Sequence, residues 1–193
     1  AIISVGIALF GMTPFGWRFM GTLFGVLMIP ILYILIKNMF GKTRVAVCAT
    51  LLFAFDFMRF TQTRIATIDT YGVFFILLSY LFMYRYATQD EDVPFRKTLT
   101  PLALSGLFFG IGCASKWVVV YAGFGLLALY LITQIRRILY YHRNEMPGLG
   151  GYIVKTLVFS VIFYILVPAA IYCLSYIPYA YGYGYRLEFG MLR

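Results

Sequence analysis

The sequence has little charge and few of the side chains that soluble enzymes use for chemistry. Only 12% of its 193 residues are charged, seven are acidic, and its single histidine, His142, lies in a basic connector. The three cysteines, Cys48, Cys113 and Cys173, are far apart inside apolar runs, which excludes a disulfide framework and offers no metal-ligand spacing. The sequence also lacks a phosphate-cradling glycine loop and a Ser/His/Asp set on one face. No soluble catalytic site can therefore be assigned.

Apolar residues, by contrast, are abundant. They make up 62% of the chain, with a mean hydropathy of +0.86, whereas a soluble domain has about 45–50% apolar and about 25% charged residues. A hydrocarbon core of about 30 Å takes roughly 20 helical residues to cross, and lipid offers no partner to an open backbone. We therefore expect an all-α, polytopic membrane protein with about six spans, at 17–36, 43–55, 70–84, 101–114, 118–135 and 152–174.

The limits of these elements are less evident. Thr100 and Pro101 predict the start of the fourth span, as N-cap and first helical residue. Residues 1–12 are apolar but too short to cross, so they fit either the end of a span or a helix in the interface. Because the chain opens without Met and stops at Arg193, we expect a single transmembrane domain over 1–193 that is incomplete at both ends.

The formal net charge of +9 comes from connectors that alternate in character. Ten of the sixteen basic residues follow spans one, three and five: Lys37, Lys42, Arg44, Arg85, Arg96, Lys97, Arg136, Arg137, Arg143 and Lys155. By the positive-inside rule this side is cytoplasmic, and the basic character needs no nucleic-acid partner. The other six face outward: Arg18, Arg59, Arg64, Lys116, Arg186 and Arg193.

Three of the outward cations lie at the ends of spans and suggest an anion site. Arg18 opens the first span, Arg64 precedes the third, and Lys116 lies in the outer turn between the fourth and fifth. Ionisable groups at membrane depth are costly and commonly face a cavity or a pathway. A lipid phosphate is the anion available at that depth, and both Arg and Lys bind phosphate.

Simpler roles remain open for several of these residues. Arg18 also suits an interfacial anchor that snorkels to the headgroups. Asp56 and Arg59 are three residues apart, which predicts a local ion pair. Asp69 fits a cap of the third span as well as a role in a site, and Gln62 could simply satisfy backbone groups in a short loop. Lys116 has no comparable alternative, because a turn between two lipid-facing spans normally uses neutral residues.

Four motifs occur in order at span boundaries: PFGWRFMG at 14–21, FDFM at 55–58, QTRIATID at 62–69 and GIGCASKW at 110–117. Together they resemble the N-terminal membrane region of the protein O-mannosyltransferase family, the dolichyl- or polyprenyl-phosphate-mannose–protein mannosyltransferases. The match is best over about residues 11–135 and weaker as far as Cys173. The resemblance implies a GT-C type glycosyltransferase that moves mannose from a polyprenyl-phosphate donor to Ser or Thr hydroxyls of proteins, at the outer or lumenal membrane face.

The resemblance also implies roles for individual residues. Arg18, Arg64 and Lys116 would bind the donor phosphate, and Gln62 and Asp69 would support them. The family's acidic catalytic pair lies in the first external loop, upstream of this segment, so no residue here is assigned as catalytic. No metal or cofactor is implied. The partners would be the lipid-linked sugar, an acceptor protein and the bilayer, with a dimer possible.

Two other functions remain open from the sequence. One is a related transferase that moves a sugar from polyprenyl phosphate onto lipid or glycan. The other is a transporter or lipid-binding membrane protein that holds an anionic headgroup with the outward cations. Short loops and the lack of glycosylation sequons favour a bacterial plasma membrane over the endoplasmic reticulum.

Overall fold

The computed structural model describes residues 2–65, 67–90, 95–145 and 148–177. All regular structure within these ranges is helical, which confirms the all-α prediction. The helices are α1 (Ile2–Phe10), α2 (Pro14–Phe40), α3 (Thr43–Ala54), α4 (Phe57–Arg64), α5 (Asp69–Ala87), α6 (Phe95–Ser115), a 3₁₀ turn (Trp117–Tyr121) leading into α7 (Ala122–Arg143), and α8 (Leu149–Val161), which continues through a π turn (Ile162–Leu166) into α9 (Val167–Ser175). Of the predicted outward cations, Arg186 and Arg193 lie outside the described residues.

The limits of α2 follow from local chemistry. Thr13 Oγ1 accepts a hydrogen bond from the Gly16 N–H at 3.1 Å, and Pro14 takes the first helical position, where its missing N–H is not needed. Gly41 ends the helix in the left-handed conformation, with φ at 66°, and donates its N–H to the Lys37 carbonyl. The resulting helix of 27 residues is long enough to cross a bilayer with some tilt.

Four continuous helical segments in the described ranges are long and apolar enough to span a membrane: Pro14–Phe40, Lys97–Ser115, Trp117–Arg143 and Leu149–Ser175. The pair α3 and α4, bent by 56° at a short break, counts as a fifth if it forms one span. The third predicted span corresponds to α5, which is largely enclosed by α2, α6 and α7. The expected total of six spans therefore stays a prediction.

The core is built around α5. Its first half packs Tyr71, Phe74 and Phe75 against Met28 of α2. Its second half joins a larger buried cluster, in which Met83 and Tyr86 meet Leu102, Phe109, Cys113, Val119 and Leu126 from α6 and the segment after it. Between the two clusters, Ser79 and Ser105 each donate a hydroxyl to the other's carbonyl at 2.8 Å. Close contact of small polar residues is a common means of joining helices in lipid.

The predicted start of the fourth span at Thr100 and Pro101 is wrong. The structure begins α6 at Phe95, which places Pro101 inside the helix. A proline there removes the hydrogen bond to the carbonyl four residues earlier, which belongs to Lys97. The side chain of Gln89 donates to that carbonyl at 3.4 Å, so an external donor replaces the missing N–H.

The predicted end of the fifth span at Ile135 is also wrong, because α7 runs on to Arg143. Arg137 is not a loop residue: it is 4% exposed and lies in the interior between helices. Its guanidinium donates to the Tyr152 hydroxyl at 2.7 Å and to the Tyr86 carbonyl at 3.3 Å. Aromatic and carbonyl partners from other helices thus allow a charged side chain to remain in the bundle.

Hydrogen bonds between helix ends show which connectors lie together. Tyr84 donates to the Asn38 carbonyl at 3.1 Å, and Arg136 donates to the Ala87 carbonyl at 2.8 Å. The ends of α2, α5 and α7 therefore meet at the end of the bundle that carries the basic connectors, called here the basic end. At the opposite end the start of α5 meets the end of α6. This grouping agrees with the alternation of connectors expected from the sequence.

The segment 1–12 contains a single short helix. With nine residues, α1 extends for only about 13.5 Å at 1.5 Å per residue. It packs closely on α2, since a Cβ added at Gly6 would lie 2.3 Å from the Gly16 carbonyl oxygen. The helix is therefore too short to cross the membrane by itself.

Candidate functional site

Lys116 lies at a break in the backbone opposite the basic end. α6 stops at Ser115, Lys116 is extended with φ −153° and ψ 127°, and the 3₁₀ turn begins at Trp117. The break turns the lysine side chain toward the start of α5, where it forms an ion pair with Asp69. The two side chains keep 34% and 45% of their accessible surface, so the pair is reachable from outside the bundle.

The structure favours the pairing role of Asp69 over the capping role that the sequence left open. The N-cap of α5 is Ile68, which makes no side-chain capping bond, and Asp69 is the first helical residue. A carboxylate in the first turn is favourable to the helix dipole, and this one also holds the Lys116 ammonium.

Gln62 connects the end of α4 to the start of α5. Its carbonyl accepts hydrogen bonds from the hydroxyls of Thr67 and Thr70, both at 3.3 Å. Its side-chain oxygen accepts a further bond from the Thr67 hydroxyl at 3.4 Å. Because Thr70 follows Asp69 directly, the expected supporting residues Gln62 and Asp69 are neighbours in one small network.

The two arginines of the expected site are exposed. Arg64 is the last residue of α4, and its guanidinium lies 4.8 Å from the centre of the Phe60 ring. Arg18 is the fifth residue of α2, and its carbonyl accepts a hydrogen bond from the Thr22 hydroxyl. Within the described part of the chain, neither guanidinium donates a hydrogen bond to a protein acceptor, so both keep their donors for a ligand.

The expected site is thus only partly assembled by direct contacts. Lys116, Asp69 and Gln62 are joined through the start of α5. Arg18 and Arg64 are related to it through their helices, because α4 packs on α2, and the Thr22 hydroxyl donates to the Thr63 carbonyl at 3.4 Å.

The predicted ion pair between Asp56 and Arg59 is wrong. Asp56 instead caps α4, since its Oδ2 accepts the backbone N–H of Arg59 at 2.9 Å. The Arg59 guanidinium donates to three backbone carbonyls, those of Phe53, Ala54 and Gly25. The sequence signal that could have indicated this role is an arginine placed just after a helix break, where unpaired carbonyls collect.

No three His, Cys, Asp or Glu side chains come close enough to hold a metal ion in the described ranges. The arrangement that remains is cationic: two exposed guanidinium groups and one ammonium, the last oriented by a carboxylate. Such a set can bind an anion and stabilise negative charge that develops on it.

Four helical segments of this length and apolarity among the described residues are typical of an integral membrane protein. Residues 3–180 match the family model described as "Dolichyl-phosphate-mannose-protein mannosyltransferase", and the chain belongs to this family. The resemblance seen in the four motifs is thereby confirmed.

Curated relatives agree with this assignment. The chain is 27% identical to the "Polyprenol-phosphate-mannose--protein mannosyltransferase" of Mycobacterium tuberculosis strain H37Rv, over 92% of the chain and 37% of the relative. Proteins of the same name from Mycolicibacterium smegmatis (strain mc(2)155; 92% of the chain, 37% of the relative) and Corynebacterium glutamicum (90% and 36%) are each 26% identical. The chain therefore spans little more than a third of the length of these relatives. No solved structure gives a significant match.

Proposed function

We propose that this chain is the donor-binding part of a polyprenyl-phosphate-mannose–protein mannosyltransferase, a multi-pass protein of a bacterial plasma membrane. Membership of the family and the names of its mycobacterial and corynebacterial relatives support this activity. The acceptor would be a Ser or Thr hydroxyl of a protein outside the cytoplasm. The sugar donor would be a substrate embedded in the bilayer.

The observation that carries the proposal is the ion pair of Lys116 with Asp69 at the end opposite the basic connectors. In this proposal Arg18, Arg64 and Lys116 bind the donor phosphate. Asp69 orients Lys116, and Gln62 holds the end of α4, which bears Arg64, against the start of α5. Two guanidinium groups with free donors, at the same end of the bundle as an oriented ammonium, match the charge and the several acceptor oxygens of a phosphate ester.

The chemistry assigns a clear task to these cations. A base removes the proton of the acceptor hydroxyl while its oxygen forms a bond to the anomeric carbon of mannose. The bond from that carbon to the phosphate oxygen breaks, and the electron pair leaves with the polyprenyl phosphate. Negative charge therefore develops on the leaving phosphate, where fixed cations stabilise the transition state more than the ground state.

We further propose that the base is not among residues 1–193. Asp56 accepts a capping hydrogen bond and Asp69 is paired with Lys116, so both have structural roles. Asp90 follows the end of α5 and Glu145 follows the end of α7, so both lie at the basic end, away from the proposed site. The remaining acids, Glu91, Asp92 and Glu188, lie outside the described residues.

Transfer of radiolabelled mannose from polyprenyl-phosphate mannose to a Ser/Thr peptide tests the proposal in the full-length protein. Arg64→Ala and Lys116→Ala should each lower turnover by about 10²–10³, the usual cost of removing one transition-state donor. Arg44→Ala is the matched control, since Arg44 is exposed at the start of α3, and it should leave turnover unchanged. Full activity of Arg64→Ala and Lys116→Ala would refute the assignment.

A further inference from the structure

The break between α3 and α4 leaves backbone groups without helical partners. α3 ends at Ala54 and α4 begins at Phe57, with the two axes bent by 56°. The last carbonyls of a helix have no N–H partner within it, and at membrane depth such groups are tolerated only when the protein itself satisfies them. The carbonyls of Phe53 and Ala54 are in this position.

Arg59 satisfies these carbonyls. Its Nε donates to the Phe53 carbonyl at 2.8 Å and one terminal nitrogen donates to the Ala54 carbonyl at 3.2 Å. The guanidinium also lies over the Phe53 ring, 4.6 Å from its centre. A cation placed at a helix C-terminus is favourable to both its carbonyls and its dipole. Arg59 of α4 therefore caps α3.

The third hydrogen bond of Arg59 is made to α2, outside the α3–α4 pair. Its other terminal nitrogen donates to the Gly25 carbonyl at 2.8 Å. Gly25 is seven residues after Arg18, or about 10 Å further along the helix axis. One planar side chain thus joins α2, α3 and α4. Its contact with α2 lies further from the outer end of that helix than Arg18 does.

The packing at Gly25 shows that α4 fits α2 closely. A Cβ added at Gly25 would lie 2.5 Å from the Thr63 Cγ2 atom, and one added at Gly21 would lie 3.1 Å from the Thr63 carbonyl oxygen. Thr63 itself is only 7% exposed. Gln62 and Arg64 are the immediate neighbours of Thr63. The contact of Thr63 with Gly25 therefore determines where these two residues lie.

We propose that Arg59 is a positioning residue for donor binding: by capping α3 and fastening α4 to α2, it sets where Gln62 and Arg64 lie. Arg59 touches neither donor nor acceptor in this scheme and acts through α4. The link to donor binding rests on the proposed function, whereas the fastening of α4 is independent of it.

The experiment has two readouts in the full-length protein, prepared without its native cysteines. The first is the maleimide reactivity of Thr63→Cys, which reports whether α4 stays against α2. The second is the Kd for a polyprenyl phosphate without sugar. The variants are Arg59→Ala, Arg59→Lys and Gly25→Ala. Arg64→Ala is the matched control, because it removes the same charge from the same helix, together with a similar ring contact but no hydrogen bond.

We expect Thr63→Cys to be protected in the parent and reactive in both Arg59→Ala and Gly25→Ala. Losing one charge-assisted hydrogen bond changes an equilibrium by roughly tenfold or more, so the Kd should rise about tenfold in Arg59→Ala. Gly25→Ala keeps the carbonyl that accepts from Arg59, but its added Cβ would lie 2.7 Å from the Cβ of residue 63, which Thr63→Cys retains. It should therefore displace α4 and raise the Kd for a steric reason. Arg59→Lys keeps the charge but not the planar fork, so it should restore only part of the protection. Arg64→Ala should raise the Kd while Thr63→Cys stays protected. If Arg59→Ala fails to fold, Arg59→Lys and Gly25→Ala still carry the test.

Protection of Thr63→Cys in all three variants would overturn the inference, whatever the Kd. So would exposure of Thr63→Cys with an unchanged Kd, provided that Arg64→Ala weakens binding. An unchanged Kd in Arg64→Ala would instead refute the proposed function, and the thiol readout alone would then decide the role of Arg59.

Discussion

Arg137 at the basic end and the two arginines of the proposed donor site, Arg18 and Arg64, use their guanidinium groups in opposite ways. At the basic end, Arg137 is 4% exposed and donates to the Tyr152 hydroxyl and the Tyr86 carbonyl. At the other end, Arg18 and Arg64 are exposed and donate to no acceptor among the described residues. A guanidinium whose donors are taken up by protein groups stabilises the fold. One whose donors are free is available to a ligand.

Lys116 combines features of the buried, paired arginine and the exposed, unpaired ones. It has a partner, Asp69, yet about a third of its side-chain surface remains accessible. An exposed ion pair contributes little to stability because water and salt screen it. The pair therefore suits orientation of the ammonium better than it suits stabilisation of the fold. We therefore expect substitution of Arg137 to affect mainly stability, and substitution of Arg18, Arg64 or Lys116 to affect mainly ligand binding.

Arg137→Met should have the largest effect on stability. Removing the guanidinium leaves the Tyr152 hydroxyl and the Tyr86 carbonyl without this donor in the interior, at a cost of about 2–3 kcal/mol in unfolding free energy. Thermal unfolding in detergent measures the effect. Arg143→Met, an exposed change in the last turn of the same helix, is the control and should stay within about 0.5 kcal/mol. Equal stabilities of the two variants would show that Arg137 does not hold the helices together.

A smaller loss of stability is expected when the ion pair of Asp69 with Lys116 is removed. Asp69→Asn removes the carboxylate that pairs with Lys116 but keeps the size of the side chain. Because both partners are partly exposed, the loss of stability should be below about 1 kcal/mol by the same unfolding measurement. A loss as large as that of Arg137→Met would mean that the pair is a structural tie like the one at the basic end.

Several features of the fold and of the proposed site can be predicted from the sequence. Hydropathy predicted the helices, and the alternation of basic connectors predicted which helix ends lie together. The cost of a cation in an outer turn singled out Lys116 before its partner was known, since that argument needs only local sequence and the membrane. The four motifs at span boundaries, taken in their order, indicated the family.

Contacts between distant segments could not be predicted in this way. The Gly25 carbonyl that accepts from Arg59 lies 34 residues earlier in the chain, and the Tyr86 carbonyl that accepts from Arg137 lies 51 residues earlier. Helix periodicity and spacing rules describe neighbours within one helix, so they assigned Arg59 to Asp56 and Arg137 to a loop. The start of α6 was missed for a similar reason, because Gln89 supplies from another segment the donor that Pro101 lacks.

We expect the proposed cationic site and the basic end to lie on opposite faces of the membrane. Labelling of single cysteines with an impermeant maleimide, in right-side-out vesicles and without the native cysteines, tests it directly. Exposed Lys42 and Arg143 are the labelling positions for the basic end, because a cysteine at buried Arg137 would not be accessible to the maleimide. We expect Thr61→Cys and Ser115→Cys to be labelled from outside, whereas Lys42→Cys and Arg143→Cys should be labelled only after the membrane is permeabilised. Labelling of Lys42→Cys from outside, with Thr61→Cys protected, would contradict it.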